Sequence, residues 1–130
     1  MNIKEKIIKE YPLTYKIESE LSCYLLADKI YLIFWKELIE KESIEQILNQ
    51  LQEKTNNSNF SKWKTLIILG NTNDIFQKED LFYFNNLDTF VVFYLVNEKI
   101  NKIFMNDSWI FTLGCNYKKY VRKIDKIIRH

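Results

Sequence analysis

The chain has 130 residues, of which 47% are hydrophobic, 15% aromatic and 28% charged, and its formal net charge is +2. This length fits one domain, and the composition excludes a disordered chain, because disorder requires low hydrophobicity and a high net charge. The longest apolar runs, Ile30–Trp35 and Phe90–Val96, exclude a membrane-spanning helix, which needs about 20 apolar residues.

The first third of the chain predicts a helix and two strands. Isoleucines at helical spacing among Lys and Glu predict a short helix over residues 2–10, which ends before Pro12. From residue 14 to residue 25 apolar and polar residues alternate, which predicts one strand with a solvated face. Residues 27–29 are expected to turn the chain into Ile30–Trp35, a strand that is apolar on both faces and therefore covered on both sides.

A helix and a second buried strand should follow. Ser43 is predicted to cap the helix, with Gln46 at the capping-box position, and Ile44–Leu51 carries the apolar stripe. After an exposed loop at residues 55–59, residues 63–70 predict a buried strand. A strand, a helix and a strand in this order predict a right-handed crossover between two parallel strands.

The second half of the chain predicts the rest of the sheet. Residues 71–74 form a loop at the carboxyl end of a strand, where open sheets bind ligands, although Gly70 is expected to mark a structural turn. Residues 78–84 predict a short helical segment. Three further strands are predicted at residues 89–96, 100–105 and 108–113.

Residues 116–128 predict an amphipathic C-terminal helix with a strongly basic outer face. Its basic residues are Lys118, Lys119, Arg122, Lys123, Lys126 and Arg129. The whole chain is therefore expected to be one α+β (mixed α/β) domain, with a mixed sheet of five or six strands and flanking helices.

Charge is unevenly placed along the chain. Residues 1–98 hold 11 Lys and Arg against 15 Asp and Glu, whereas residues 99–130 hold eight basic residues against two acidic ones. The basic helix face could bind a polyanion such as nucleic acid, or an acidic protein partner. It could also be a solvated face, since lysines late in a helix favour its dipole.

The chain is expected to be cytoplasmic. Its first residues alternate charged and apolar types, so they do not predict a signal peptide. Cys23 and Cys115 match no metal or redox spacing, and two thiols in a reducing cytoplasm are predicted, with one disulfide as the alternative.

The residues that most enzymes need are scarce. His130 is the only histidine, which excludes most histidine-based catalytic schemes and zinc sites. Gly70 and Gly114 are the only glycines, so no glycine-rich nucleotide fingerprint exists. We therefore expect no cofactor, no metal and no catalytic residues.

One enzymatic alternative remains, a divergent metal-dependent nuclease that uses Glu18, Glu20 and Asp28. The order of elements is loosely similar to the core of restriction-endonuclease-type folds. Phe34 stands two positions before Lys36, however, where that core carries an acidic residue. The other interpretation of the acidic residues is a solvated strand face.

Aromatic residues are in excess, with three Trp, eight Tyr and nine Phe. A domain of this size cannot bury all of them, and exposed aromatic clusters mark binding sites. The predicted partner-binding residues are Phe82, Tyr83, Phe84, Trp109 and Phe111.

One further pattern runs through the second half of the chain. It consists of a buried strand led by Trp63, then Asn106-Asp107, then a basic run before aliphatic residues (Lys118–Ile124). It resembles the small middle component of bacterial three-component ABC-ATPase (Lamassu-type) defence systems, over roughly residues 60–125. The resemblance implies a non-enzymatic adaptor that sits against an SMC-like or RecF-like ATPase and helps to engage DNA.

The expected function is thus an accessory subunit of a bacterial antiviral complex that docks on a larger protein, with a C-terminal helix that contacts DNA or an acidic surface. No membrane partner is expected. The alternatives are the nuclease above and a phage or plasmid inhibitor that binds a host protein.

Overall fold

The structure is a computed structural model that describes residues 3–10, 16–18, 22–27, 29–56, 60, 62–81, 84–86, 89–105 and 117–129. Within these ranges lie three α-helices and seven β-strands. The helices are α1 (Ile3–Glu10), α2 (Ile44–Thr55) and α3 (Tyr117–Arg129). The strands are β1 (Lys16–Glu18), β2 (Cys23–Ala27), β3 (Ile30–Phe34), β4 (Lys64–Asn71), β5 (Phe84–Asn86), β6 (Thr89–Asn97) and β7 (Lys102–Met105).

All seven strands belong to one mixed sheet. β1, β2, β3, β4 and β6 are neighbours in that order, and β5 and β7 both pair with β6. β3, β4 and β6 are parallel, whereas the outer pairings are antiparallel. The predicted α+β class with a mixed sheet is confirmed. Seven strands are described rather than the expected five or six, because two strands, β1 and β2, take the place of the one predicted over residues 14–25, and because β5 was not predicted.

Two hydrophobic cores lie on opposite faces of the sheet. Successive side chains of a strand point to opposite faces, so Ile33, Ile68 and Phe93 join the core beneath α2, whereas Leu32 and Tyr94 join the core beneath α1 and α3. This explains why β3, β4 and β6 have apolar residues at nearly every position. The predicted crossover is confirmed in that β3 and β4, joined through α2, are parallel.

The predicted continuous strand over residues 14–25 is wrong. β1 and β2 form an antiparallel pair in which Lys16 lies opposite Tyr24, and Ser22 has a positive φ of 51°. The alternation of apolar and polar residues continues across this reversal, so the pattern does not reveal it. The predicted turn after β2 is confirmed, because β2 and β3 are antiparallel and Lys29 adopts a left-handed conformation (φ 64°).

Ser43 lies at the N-cap position of α2, as predicted, but the predicted side-chain cap is absent. A 3-10 turn over Lys41–Ser43 precedes α2, so Ser43 already has helical backbone angles, and its side chain makes no capping hydrogen bond. The apolar stripe of α2 is confirmed, since Ile44, Ile47 and Leu51 are buried. The loop predicted at residues 55–59 begins one residue later than expected, because Thr55 is the last residue of α2. Its hydroxyl donates to the Leu51 carbonyl (2.7 Å).

Gly70 does not form a turn, contrary to the expectation. It lies within β4, and a Cβ atom added there would stand 2.5 Å from Cδ1 of Ile39, which is fully buried. The missing side chain thus lets the segment after β3 pack over β4.

The later elements differ from the predictions at their ends. The helical segment predicted at residues 78–84 is a 3-10 turn over Lys78–Leu81, and Phe84 begins β5. β7 begins at Lys102 because residues 98–101 form the turn from β6, with Asn101 at a φ of 53°. The strand predicted at residues 108–113 lies outside the described residues. In the described part of the chain, no helix has the length and apolar character needed to cross a membrane.

Candidate functional site

The carboxyl ends of the parallel strands β3, β4 and β6 meet at one edge of the sheet. We call the loops that follow them, residues 35–43, 72–77 and 98–101, the carboxyl edge. Backbone hydrogen bonds join these segments to neighbouring strands: the Ile39 amide donates to the Asn71 carbonyl (2.8 Å), and the Thr72 amide donates to the Val96 carbonyl (2.9 Å). The carboxyl edge is therefore continuous with the sheet.

Two buried polar side chains hold the carboxyl edge together. Asn97 is 2% exposed, and its Nδ2 donates to the Asp74 carbonyl (3.0 Å), while its Oδ1 accepts from the Lys99 amide (3.1 Å). Thr72 is 1% exposed, and its Oγ1 accepts from the Asp74 amide (2.9 Å). The Lys41 amide donates to Asp74 Oδ2 (3.0 Å). Asp74 thus connects its own segment directly to Lys41 and, through the Asn97 side chain, to residues 98–101. These hydrogen bonds give the carboxyl edge a defined conformation.

The carboxyl edge exposes aliphatic side chains. Among the residues that the structure describes, four large hydrophobic side chains are exposed, and three of them are Leu38 (50%), Ile75 (55%) and Ile100 (42%). Leu38 precedes the fully buried Ile39, and Ile75 precedes Phe76, which is 5% exposed and contacts Phe104 with ring centroids 5.9 Å apart. Because each neighbour is anchored in the core, Leu38 and Ile75 are left at the surface.

The exposed charges of the carboxyl edge and the adjoining 3-10 turn are mainly acidic. The pKa of Glu40 is raised, first by a hydrogen bond with Glu42 and then by repulsion from the Glu42 and Asp74 charges. The pKa of Asp80 is lowered, first by the amide of Gln77 and then by its hydrogen bond with Lys41. Among the side chains of these segments that the structure describes, the acidic ones are Glu37, Glu40, Glu42, Asp74, Asp80 and Glu98, and the basic ones are Lys36, Lys41 and Lys99.

α3 lies on the opposite face of the sheet from α2 and is fixed there by apolar and polar contacts. Val121 and Ile124 are buried in the core beneath α1 and α3. The hydroxyl of Tyr94, a fully buried residue of β6, donates a short hydrogen bond to Asp125 Oδ1, which also accepts from Arg129 Nε (2.8 Å). Burial and then this hydrogen bond raise the pKa of Tyr94 far above its ordinary value. Asp125 in turn raises the pKa of Arg129.

The predicted basic face of α3 is solvent-exposed wherever its side chains are described. Arg122, Lys123, Lys126 and Arg129 are exposed, whereas the side chains of Lys118 and Lys119 lie outside the described residues. Exposed Lys9 of α1 lies in the same layer. The exposed charged residues of α2 on the other face are Glu45, Glu53 and Lys54. The fold therefore separates a basic layer from one with more acidic than basic residues.

The other predicted sites fall where the structure gives no side-chain description. Phe82, Tyr83, Trp109 and Phe111 lie outside the described residues, and of Phe84 only the backbone in β5 is described. The same holds for the nuclease alternative: Glu20 and Asp28 lie outside the described residues, and Glu18 is described only as a residue of β1. Cys23 is buried, and Cys115 lies outside the described residues.

Sequence reasoning missed the carboxyl edge as a surface. The available signal was the turn chemistry of residues 71–74 and 97–99, where Asn, Thr and Asp side chains can bond to nearby backbone. Residues 71–74 are predicted as a loop, but nothing local indicates that they lie beside residues 35–43 and 98–101.

For the residues whose positions are described, no group of three His, Cys, Asp or Glu is placed to hold a metal ion. No protein-family model, curated protein or solved structure matches this chain.

Proposed function

We propose that this chain is a non-enzymatic accessory subunit that docks on a larger protein through its carboxyl edge and presents the basic face of α3 to DNA or to an acidic surface. The observation that carries the docking is the exposure of Leu38, Ile75 and Ile100 on three segments that hydrogen bonds hold together. Exposed apolar side chains gathered on one part of a surface are characteristic of interaction sites.

The hydrogen bonds of the carboxyl edge favour docking. An interface loses affinity when flexible loops must be ordered on binding, so loops that are already ordered lose less. Leu38 and Ile75 are each half exposed, and removing apolar surface from water contributes about 25 cal/mol per Å². The excess of acidic residues around them indicates a partner surface with an apolar centre and a basic rim.

The resemblance described above supplies the partner class, an SMC-like or RecF-like ATPase of a bacterial antiviral defence complex. In that setting the chain would act in the cytoplasm, where the ATPase and DNA are both present. The fold supports this division of roles, because Ile39 and Phe76 of the carboxyl edge pack in the core beneath α2, whereas α3 packs on the opposite face of the sheet.

Changing two exposed aliphatic residues of the carboxyl edge should abolish docking. The double variant Leu38→Asp with Ile75→Asp places two charges in the buried centre of the interface, where unpaired charge is strongly unfavourable. We expect the larger protein, retained when the wild-type chain is purified natively with its flanking genes, to be lost from the double variant. Quantitative mass spectrometry of the co-purified proteins measures this.

Trp63→Asp is the matched control, since Trp63 is 55% exposed and precedes β4 at the opposite edge of the sheet. The Trp63 variant should retain the larger protein as the wild type does. Purification of the wild-type chain without any stoichiometric partner would contradict the proposal. Equal loss in the Trp63 variant would contradict the assignment of the carboxyl edge.

Charge reversal on α3 should weaken DNA binding. Arg122 and Lys126 are exposed and have no acidic partner among the described side chains, so Arg122→Glu with Lys126→Glu removes two phosphate-binding charges. We expect the slope of log affinity against log salt concentration to become less steep by about 2. Fluorescence anisotropy with duplex DNA, on the purified complex, measures both quantities.

Lys62→Glu, an exposed change just before β4, is the control for added negative charge and should bind DNA as the wild type does. Salt-independent binding, or equal weakening by Lys62→Glu, would show that α3 is not the DNA contact. In that case an acidic protein partner and a solvated face are the remaining interpretations of the basic face.

A further inference from the structure

α1 and α3 lie side by side on one face of the sheet. Ile7 of α1 and Val121 and Ile124 of α3 are buried in the same core, and the two helices are in contact. Because packed helices lie about 8–10 Å apart and each is about 10–12 Å wide, the pair forms a layer about 20 Å across. The basic face of α3 belongs to the outer surface of this layer.

The exposed cations of α3 form a stripe along the helix axis. Arg122, Lys126 and Arg129 stand at positions i, i+4 and i+7, which places them on one side of the helix, and all three are exposed. At a rise of about 1.5 Å per residue, Arg122 and Arg129 are about 10 Å apart along the axis. Each strand of duplex DNA carries one phosphate per about 3.4 Å of its axis, so the stripe spans about three phosphates of one strand.

The two helices carry few of the side chains that read base edges. Neither α1 nor α3 contains Asn, Gln, Ser or Thr, which bind adenine or several bases, whereas Arg and Lys bind guanine. Arg122 and Arg129 are the only arginines of the chain, and Asp125 holds Arg129 through its Nε (2.8 Å). Guanine recognition by Arg122 is therefore the main alternative to a contact with phosphates alone.

The width of the helix layer opposes entry of α3 into the major groove. That groove is about 12 Å wide and about 8.5 Å deep, which admits one α-helix. α1 contacts α3 and packs in the same core, so it reaches the wall of the groove before α3 reaches the base edges. In this arrangement the exposed cations of α3 meet phosphates.

The described outer face of α3 has no aromatic surface on which the bases of a single strand can stack. Proteins that bind single strands use such stacking together with positive charge. Tyr120, the aromatic residue of α3 whose side chain is described, is half-buried and packs against the core beneath α1 and α3. Trp63 is exposed, but it precedes β4 and lies in neither helix. These features favour a duplex over a single strand.

We propose that the basic face of α3 binds duplex DNA through its phosphates alone, so that binding is independent of base sequence. This inference rests on the proposed contact of α3 with DNA and adds what that contact recognises. Lys and Arg neutralise phosphates at any position along a duplex, and phosphate contacts carry no sequence information. The accessory subunit thus holds DNA beside the larger protein without selecting a site.

Fluorescence anisotropy of the purified full chain with three duplexes of equal length tests the proposal. One duplex is rich in A·T pairs, one is rich in G·C pairs and one is mixed. We expect dissociation constants within about twofold and equal salt slopes, because the three duplexes present the same phosphates. A single strand of the same length should bind more weakly, since its charge density is lower and it finds no stacking surface.

Two variants separate a phosphate contact from a base contact. Arg122→Lys keeps the charge but removes the guanidinium fork that binds guanine, so it should bind all three duplexes as the wild type does. Arg122→Glu with Lys126→Glu should weaken binding to the three duplexes by the same factor. Lys62→Glu is the control and should bind as the wild type does. Because all three positions are exposed, every variant should also melt as the wild type does.

The outcomes separate this inference from the proposed function on which it rests. One duplex bound more than about tenfold tighter than the others, or a loss in Arg122→Lys confined to the G·C-rich duplex, would show base reading and overturn the inference alone. Tighter binding of the single strand would overturn the assignment to duplex DNA. Absence of salt-dependent binding to all four nucleic acids would overturn both the inference and the DNA contact of α3.

Discussion

Replacing Phe93 with alanine should lower the free energy of unfolding by about 3–5 kcal/mol, the range for removing a large aromatic side chain from a packed core. Phe93 is fully buried at the middle of β6 and lies opposite Ile68 of β4, in the core beneath α2. Deleting its ring removes apolar contacts and leaves a cavity that the surrounding strands cannot fill, since they are hydrogen-bonded in register. The loss is a large part of the roughly 5–15 kcal/mol that stabilises a typical domain.

Urea unfolding followed by far-ultraviolet circular dichroism measures this loss. Trp63→Ala is the matched control, because it also removes an aromatic ring, but from a position that is 55% exposed; it should change the free energy of unfolding by about 0.5 kcal/mol or less. A loss below about 1.5 kcal/mol for Phe93→Ala would contradict the packing of Phe93 in the core beneath α2.

Replacing Asp125 with alanine should lower the free energy of unfolding by about 1–3 kcal/mol, the cost of a buried polar group without its partner. The hydroxyl of Tyr94 is fully buried and donates to Asp125, so the variant leaves this hydroxyl without its acceptor. Tyr94→Phe removes the hydroxyl and leaves Asp125 its bond with Arg129, so it should cost less. The double variant should cost less than the sum of the two, because the residues are directly bonded.

The pH dependence of stability gives a second measurement on the same pair. Burial, and then the bond to Asp125, raise the pKa of Tyr94 in the folded chain, whereas an unfolded tyrosine ionises near pH 10. Above about pH 10 the unfolded state therefore binds fewer protons than the folded state. The contribution of Tyr94 to the free energy of unfolding is accordingly complete below that pH and is lost as the pH rises. The wild type should lose more stability between pH 9 and pH 11 than Tyr94→Phe does, by urea unfolding at each pH. Parallel losses in the two proteins would show that Tyr94 ionises normally.

Much of the secondary structure was predictable because it depends on local patterns. β3, β4 and β6 are buried on both faces, and their runs of apolar residues predict this directly. The stripes of α2 and α3 were equally visible. The reversal near Ser22 and the 3-10 turn before α2 were missed, because neither changes the periodicity on which the predictions depended.

The two candidate surfaces also differ in whether the sequence predicts them. The basic outer face of α3 follows from its sequence, since the apolar stripe decides which side packs on the sheet and the lysines take the other side. The carboxyl edge does not, because Leu38, Ile75 and Ile100 belong to segments that follow three different strands. Only the parallel pairing of those strands brings their ends together.

By itself, then, the sequence determined the buried strands, the helical stripes and the basic side of α3, because apolar periodicity reports whether each position faces water or protein. The tertiary structure decided which distant segments are neighbours. It placed Asn97 beside Asp74 and brought Lys6, near one end of the chain, to Arg129, near the other. Such neighbours follow from strand pairing and from helices that pack side by side, and these depend on contacts between segments whose local patterns do not refer to one another.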